Sequence, residues 1–222
     1  MRGFRTSLFF TVVLLATSAH SRVIDLHAEI RVAKSGELTV TERITVEGRN
    51  QRDALLRELP PAARVVDVIR NGHPESYALD GSRLRLGGAP LPGGRHHYQL
   101  TYRAPRRIAF LGDHDALHWS LKGAERLTAE IVLPASVPAR QIKAEATGTE
   151  SQHFVRDGRA AFRSQENLAL VVRFPKGVVT EPGLGQRAHW FFSDYFGAVL
   201  ILLMLISTAW VLNLIRGQRR NT

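Results

Sequence analysis

The segment 113–119 (DHDALHW) holds the densest group of side chains that could do chemistry. Imidazole and carboxylate groups are suitable ligands for a divalent metal ion. The alternation of Leu117 and Trp119, however, predicts a strand that carries His118 on its outward face, with the aspartates in the preceding turn. The sequence therefore favours a solvated turn over a metal site. The candidate residues of this surface or metal cluster are Asp113, His114, Asp115 and His118.

Glu42 is the second residue of interest, because it lies in register with the apolar positions of a predicted strand. Those positions are Leu38, Val40, Ile44 and Val46. A lone carboxylate on that face is costly to bury, so Glu42 should be paired, protonated or at the rim of the sheet. We predict Arg57, in the segment 56–60 (LRELP), as its partner and interpret the ion pair as structural rather than functional.

No catalytic constellation is evident elsewhere in the sequence. The chain has no cysteine, no serine in a nucleophile elbow and no glycine-rich phosphate loop ahead of a helix. His96 and His97 are adjacent, so in a strand they would point to opposite sides and chelate a metal poorly. We therefore predict no catalytic residue and no cofactor, and favour a role other than that of an enzyme.

Apolar residues recur at every second position through most of the chain, which predicts a mostly β protein. Turn signals separate the runs at residues 34–36 (KSG), 80–81 (DG) and 157–158 (DG). Many short strands with frequent turns are typical of an antiparallel β-sandwich. The best helix candidate within this region is the stretch 52–56.

The first 21 residues predict a secretory signal peptide. Arg2 and Arg5 precede a nine-residue apolar run, and small residues follow it. As a helix this run would span roughly 13 Å, which is too short for a bilayer core of about 30 Å. Cleavage is expected after Ala19 or Ser21, with an uncleaved anchor as the alternative.

Residues 196–215 predict one transmembrane helix, because twenty residues without a charge reach about 30 Å. Aromatic residues suit the headgroup region on one side, and arginines should stay in the cytoplasm on the other. The predicted anchor residues are Trp190, Tyr195, Arg216, Arg219 and Arg220. The predicted segments are a signal peptide 1–21, an extracytoplasmic domain 22–179, a linker with an aromatic belt 180–195, the helix 196–215 and a cytoplasmic tail 216–222.

The charge of the chain is concentrated partly in these terminal segments. The formal net charge is +10, from 30 basic and 20 acidic residues. Five of the basic residues, and no acidic ones, lie in the segments 1–21 and 196–222, which leaves 25 basic against 20 acidic residues between them. A nucleic-acid partner is therefore not predicted. The predicted partners are the lipid bilayer and another membrane or envelope protein.

The chain resembles a bacterial family of predicted membrane proteins, domain of unknown function 2207, whose members are described as YciQ-like. The matching segments are 36–42 (GELTVTE), 56–60 (LRELP), 98–102 (YQLTY), 113–123 (DHDALHWSLKG), 129–134 (AEIVLP) and 174–177 (FPKG). The resemblance implies an extracytoplasmic β domain ahead of a membrane helix and implies no activity. The family pattern at 115–119 reads DELYW, so Ala116 and His118 depart from it, which weakens the metal hypothesis. Relatives continue into further spans, so we expect a reduced member or a second gene that supplies the rest.

These observations favour a membrane-anchored binding or scaffolding module in the bacterial inner membrane, with its ectodomain in the periplasm. The alternative is an envelope hydrolase or metal-dependent enzyme that uses Asp113, His114, Asp115 and His118. A third interpretation is attraction of the modestly basic ectodomain to anionic lipid or polysaccharide, which would weaken with salt.

Overall fold

The computed structural model describes residues 22–48, 55–88, 91, 93–183, 185, 190, 196, 200, 201 and 203–208. The chain divides into two compact units after Val178. The strands are β1 Arg22–Val32, β2 Leu38–Gly48, β3 Leu55–Glu58, β4 Arg64–Arg70, β5 His73–Pro74, β6 Tyr77–Asp80, β7 Arg83–Leu86, β8 Gly94–Ala104, β9 Ile108–Phe110, β10 His114–Val132, β11 Lys143–Arg156 and β12 Arg159–Pro175. A short 3₁₀ helix covers Ala139–Gln141. The mostly β prediction is confirmed.

The strands of the first unit form two sheets. The larger has nine strands in the order β11-β12-β10-β1-β2-β8-β4-β5, with β9 paired to β10, and the smaller has the order β3-β7-β6. The prediction of antiparallel sheets is wrong for β1 and β10, which pair in parallel, and correct for the other strand pairs that the structure describes. Alternation along a strand determines which face is buried but says nothing about the direction of a neighbour that lies far away in the sequence.

The turn signals predict the local hairpins correctly. β1 and β2 pair antiparallel across the turn at 34–36, where Gly36 has a φ of 81°. Residues 81–82 join β6 to β7, one position later than predicted, because Asp80 ends β6 and pairs with Arg83. Residues 157–158 join β11 to β12 as predicted. Gly81 and Gly158 also adopt positive φ, which explains why a glycine follows aspartate at both turns.

The prediction of a helix over 52–56 is wrong at Leu55 and Leu56, which belong to β3. Leu55 is buried and Leu56 is 67% exposed, so burial here follows a period of two. β3 forms a ladder with β7 in which Leu55 faces Leu86. Pairing between sheet neighbours therefore outweighs the local helix preference of this short stretch.

The smaller sheet has one apolar face. Leu55, Leu84 and Leu86 are each at most 5% exposed, and alternation places Arg57 on the same face of β3 as Leu55. This orientation directs the Arg57 side chain towards the larger sheet, where it meets Glu42.

Some predictions fall wholly or partly outside the described residues. The signal peptide 1–21, Tyr195, Arg216, Arg219 and Arg220 lie outside them. In the second unit the described residues 185, 190, 196, 200, 201 and 203–208 are helical, which covers part of the predicted span 196–215. None of the helices in the described part of the chain is both long and apolar enough to cross a membrane.

Gly148 provides a test of the packing between β11 and β12. A Cβ at this position would lie 2.2 Å from the backbone oxygen of Asn167 and 2.6 Å from Oγ of Ser164, which is itself buried. We expect Gly148→Ala to lower the free energy of unfolding by about 2 kcal/mol or more, since neither neighbour can move away easily. The measurement is urea unfolding of the full-length protein in detergent micelles.

Gly112→Ala is the matched control, because a Cβ at Gly112 would have no atom within 4 Å. Its free energy of unfolding should stay within about 0.5 kcal/mol of the parent. Equal stability of the Gly148→Ala and Gly112→Ala variants would contradict the tight contact at β12.

Candidate functional site

Glu42 lies in the middle of β2 and is only 2% exposed. Its backbone neighbours are Ala28 on β1 and Leu100 on β8, so it is flanked on both sides by buried apolar residues. A carboxylate in this position needs hydrogen-bond donors from outside its own ladder.

Arg57 supplies most of these donors. Its Nε and Nη2 donate to Glu42 Oε2 at 3.0 and 2.7 Å, and its Nη1 donates to the backbone oxygen of Lys122 at 3.5 Å. The structure thus brings together the two residues that sequence reasoning paired. Both side chains are largely buried, at 13% exposure for Arg57 and 3% for Glu42. Because Arg57 belongs to the smaller sheet, its guanidinium connects β3 with β2 and β10.

Tyr102 is the third member of this cluster and was missed by sequence reasoning. Its hydroxyl donates to Glu42 Oε1 at 2.9 Å. Burial raises the pKa of Tyr102 well above its usual value, and the Glu42 carboxylate raises it further, so the hydroxyl keeps its proton and remains a donor. Tyr102 stands opposite Val40 in the β2–β8 ladder, diagonal to Glu42, and only that register reveals the contact.

The cluster forms one wall of a pocket of about 200 Å³, which we name the Glu42 pocket. Its walls come from β2, β3, β8, β10, the turn after β3 and the loop before β9. The lining residues are Glu42, Arg57, Glu58, Leu59, Pro60, Tyr102, Arg107, Trp119, Ser120, Leu121 and Lys122.

Arg107 and Trp119 give this pocket its chemical character. The Arg107 guanidinium lies 5.5 Å from the centroid of the Trp119 ring, within range of a cation–π contact. The Nε of Arg107 and the Nε1 of Trp119 each expose less than 1 Å² and donate to no acceptor among the described residues. A buried donor without an acceptor costs about 1–3 kcal/mol, so this wall carries an energetic cost that an added acceptor would relieve.

The pocket has an excess of positive charge. Arg57, Arg107 and Lys122 face the carboxylates of Glu42 and Glu58. Arg57 is matched by Glu42, and the Lys122 Nζ lies 3.6 Å from Glu58 Oε2. Arg107 has no carboxylate within ion-pair distance in the described part of the chain, so its charge is the unmatched one.

The structure places Asp115 differently from the sequence expectation. Strand β10 begins at His114, so Asp115 lies within the strand and is fully buried rather than in a solvated turn. It shares the face of Leu117 and Trp119, and the Lys176 Nζ lies 2.8 Å from its Oδ1. Its spacing of two from Leu117 was the sequence signal that could have revealed this burial.

The remaining residues of the predicted metal cluster do not converge with Asp115. His114 Nδ1 lies 2.6 Å from Oδ1 of Asp113, and this hydrogen bond lowers the pKa of that exposed carboxyl. His118 is exposed on the opposite face of β10. Across the described residues, no three His, Cys, Asp or Glu side chains are grouped so that they could hold a metal ion.

The Glu42 pocket also gathers the segments on which the family resemblance rests. Glu42 ends the segment 36–42, and residues from 56–60, 98–102 and 113–123 line the other walls. These segments are far apart in the sequence and meet at this pocket only through the fold.

The family described as "Predicted membrane protein (DUF2207) N-terminal domain" matches residues 22–175. This range covers all twelve strands of the structure. No match was found among curated proteins.

Several solved structures are similar to part of this chain. An M1 zinc metallopeptidase from Deinococcus radiodurans, an E323A mutant bound to a Tyr-Ser-Ala substrate, is 16% identical with a TM-score of 0.47 over 80% of this chain and 54% of its own. Leukotriene A4 hydrolase from Saccharomyces cerevisiae is 12% identical with a TM-score of 0.49 over 69% of this chain and 29% of its own. This chain thus spans about half or less of the length of these proteins.

The ion pair between Arg57 and Glu42 yields a stability prediction. Arg57→Met would leave a buried carboxylate with the Tyr102 hydroxyl as its one donor among the described side chains. We expect the free energy of unfolding to fall by about 3–5 kcal/mol, the usual cost of breaking a buried pair by removing one partner. The measurement is thermal and urea unfolding of the full-length protein in micelles.

Arg126→Met is the matched control. Arg126 makes a two-point contact with Asp25 that is even shorter, at 2.6 Å for both bonds, but its side chain is 68% exposed. Water screens such a pair, so the loss should be much smaller. Similar losses in the two variants, or an unchanged melting temperature in Arg57→Met, would contradict the structural role of the Glu42–Arg57 pair.

Proposed function

The chain belongs to the family of predicted membrane proteins with the N-terminal domain of unknown function 2207, and from that premise we propose that it is a membrane-anchored binding module. The module engages a partner through the Glu42 pocket, and the family membership supports its place at a membrane. If the partner bound by the module is a protein, the module acts as a scaffold for a membrane complex.

One observation carries this proposal. The Glu42 pocket has a rigid wall, because Glu42, Arg57 and Tyr102 hold one another by three hydrogen bonds. Beside that wall, Arg107 and Trp119 present donors that have no acceptor in the described part of the protein. Recognition sites commonly combine such a fixed, partly apolar cavity with a few convergent polar groups.

The proposed topology follows the order of the sequence signals. A signal peptide at 1–21 would export the domain, the helix 196–215 would anchor it, and the arginine-rich tail would stay in the cytoplasm of the bacterial cell. A β-sandwich would result from the smaller sheet covering the larger one, and the Arg57–Glu42 contact supports this arrangement.

An enzyme centred on the segment 113–118 has no supporting observation. Asp115 contacts Lys176, while His118 is exposed on the other face of β10. The hypothesis that the ectodomain is attracted to anionic surfaces also has less support, because many of its arginines already face acidic partners. Such pairs join Arg22 to Glu125, Arg126 to Asp25, Arg159 to Glu130 and Arg173 to Glu145.

Site-specific photocrosslinking tests the binding module. Ser120 is exposed and lines the Glu42 pocket, so a photoreactive phenylalanine analogue placed there samples its mouth. In cells of its own organism that produce the full-length protein, we expect a discrete crosslinked species after irradiation. Mass spectrometry then identifies the molecule that is captured.

Ser35 is the matched control position, because it is an exposed serine in the β1–β2 turn and does not line the pocket. The same analogue at Ser35 should not capture the species found at Ser120. A crosslinking pattern that is identical at both positions, or no product at Ser120, would overturn the proposal that the pocket is the recognition site.

The topology can be tested separately by cysteine labelling. The chain has no cysteine, so each introduced thiol is the only one present. We expect Lys34→Cys, in the exposed β1–β2 turn, to react with a membrane-impermeant maleimide once the outer envelope is opened. Thr222→Cys should react only after the inner membrane is disrupted, and labelling of both sites before disruption would contradict the cytoplasmic tail.

A further inference from the structure

We infer that the Glu42 pocket recognises a carboxylate group, with Arg107 as its counter-ion and the Trp119 indole N–H as a second donor. This inference rests on the proposed function and names the ligand chemistry of the same pocket. The group would be the side-chain or C-terminal carboxylate of a larger partner molecule.

The charge balance of the pocket favours an anion. Arg57 is neutralised by Glu42, and Lys122 lies near Glu58, which leaves Arg107 as the cation without a carboxylate within ion-pair distance among the described residues. A guanidinium presents its donors in a flat fork that matches the geometry of a carboxylate. One incoming negative charge would therefore balance the pocket.

Glu42 itself is not expected to repel such a ligand. Its Oε2 accepts two hydrogen bonds from Arg57, and its Oε1 accepts one from Tyr102. The positive charge of Arg57 lies 2.7 Å from that carboxylate, so the field of Glu42 at the pocket is largely offset. Glu42 thus positions Arg57 and Tyr102, while Arg107 is left available.

The two donors without acceptors point to the same chemistry. The Nε of Arg107 and the Nε1 of Trp119 donate to nothing in the described part of the chain, and both belong to residues that line the pocket. Both donor atoms are buried, so the inferred binding requires the half-buried Arg107 side chain to turn away from the Trp119 ring and admit an acceptor. An oxygen pair of a carboxylate would satisfy both donors.

The size of the pocket limits what can enter. A volume of about 200 Å³ is below the range of about 300–1,000 Å³ that is typical of sites enclosing a whole drug-sized ligand. A single group of side-chain size fits better, which favours a carboxylate presented by a larger molecule. A free α-carboxylate and a side-chain carboxylate share this chemistry, and the probes below distinguish them.

The test uses the full-length ¹⁵N-labelled protein in lipid nanodiscs. The indole N–H resonance of Trp119, assigned with Trp119→Phe, is followed during titration with N-acetylglycine, which carries a free α-carboxylate. N-acetylglutamic acid α-amide supplies a side-chain carboxylate, and N-acetylglycinamide is the uncharged control. We expect a saturable shift with at least one carboxylate probe, no shift with the amide, and weaker binding as salt is added.

Variants of two adjacent arginines assign the counter-ion. Arg107→Gln should raise the dissociation constant at least tenfold, and Arg107→Lys should raise it less because the charge is kept. Arg106→Gln is the matched control, since Arg106 does not line the pocket, and it should change the constant less than twofold. Thermal unfolding of each variant checks that the fold is retained. If a variant does not fold, the salt dependence of binding to the parent protein still tests whether the ligand is held by charge.

The outcomes separate the ligand chemistry from the proposed function. Equal shifts with the amide, equal effects of Arg106→Gln and Arg107→Gln, or no saturable shift with either carboxylate overturn the carboxylate inference. If crosslinking at Ser120 still captures a partner in that case, the binding module stands with a different ligand chemistry. If no carboxylate probe binds and crosslinking at Ser120 captures no partner, the proposed binding module is overturned as well.

Discussion

The fold of this protein depends on compensation of one buried carboxylate. Glu42 sits among apolar residues of the larger sheet, where an unpaired charge would cost several kcal/mol. Arg57 and Tyr102 offset that cost, and Arg57 can do so only because β3 brings it within hydrogen-bond distance of β2. The requirement to pair one charge therefore fixes where the smaller sheet contacts the larger one. Without cysteine in the chain, no disulfide could impose this position.

The same constraint recurs at Asp115. This carboxylate is fully buried at the start of β10 and faces Lys176, which follows β12 directly. Asp115 and Trp119 share one face of β10, so the strand carries a charge pair at one end and a wall of the Glu42 pocket four residues later. Asp115, predicted from the sequence to lie in a solvated turn, is thus part of the interior.

The Glu42 pocket combines satisfied and unsatisfied polar groups. Every oxygen of Glu42 has a donor, whereas the donors of Arg107 and Trp119 named above have no acceptor in the described residues. The hydrogen-bonded wall of Glu42, Arg57 and Tyr102 provides rigidity. The donors without acceptors would be satisfied by a ligand that carries an acceptor. This division of roles is the basis of the binding role proposed for the pocket.

Features that depend on near neighbours in the chain could be predicted from the sequence. Alternation gave the strands and their buried faces, Asp-Gly turns placed two hairpins, and Glu42 on an apolar face required a partner, for which Arg57 was a correct choice. The spacing of two between Asp115 and Leu117 carried the same kind of signal, but the prediction that Asp115 lies in a solvated turn is wrong. The parallel pairing of β1 with β10, the contact of Tyr102 with Glu42 and the position of Arg107 over Trp119 became apparent only in the folded structure. The reason is physical: side-chain direction repeats every two residues and is local, whereas strand order, direction and register depend on partners that are distant in the sequence.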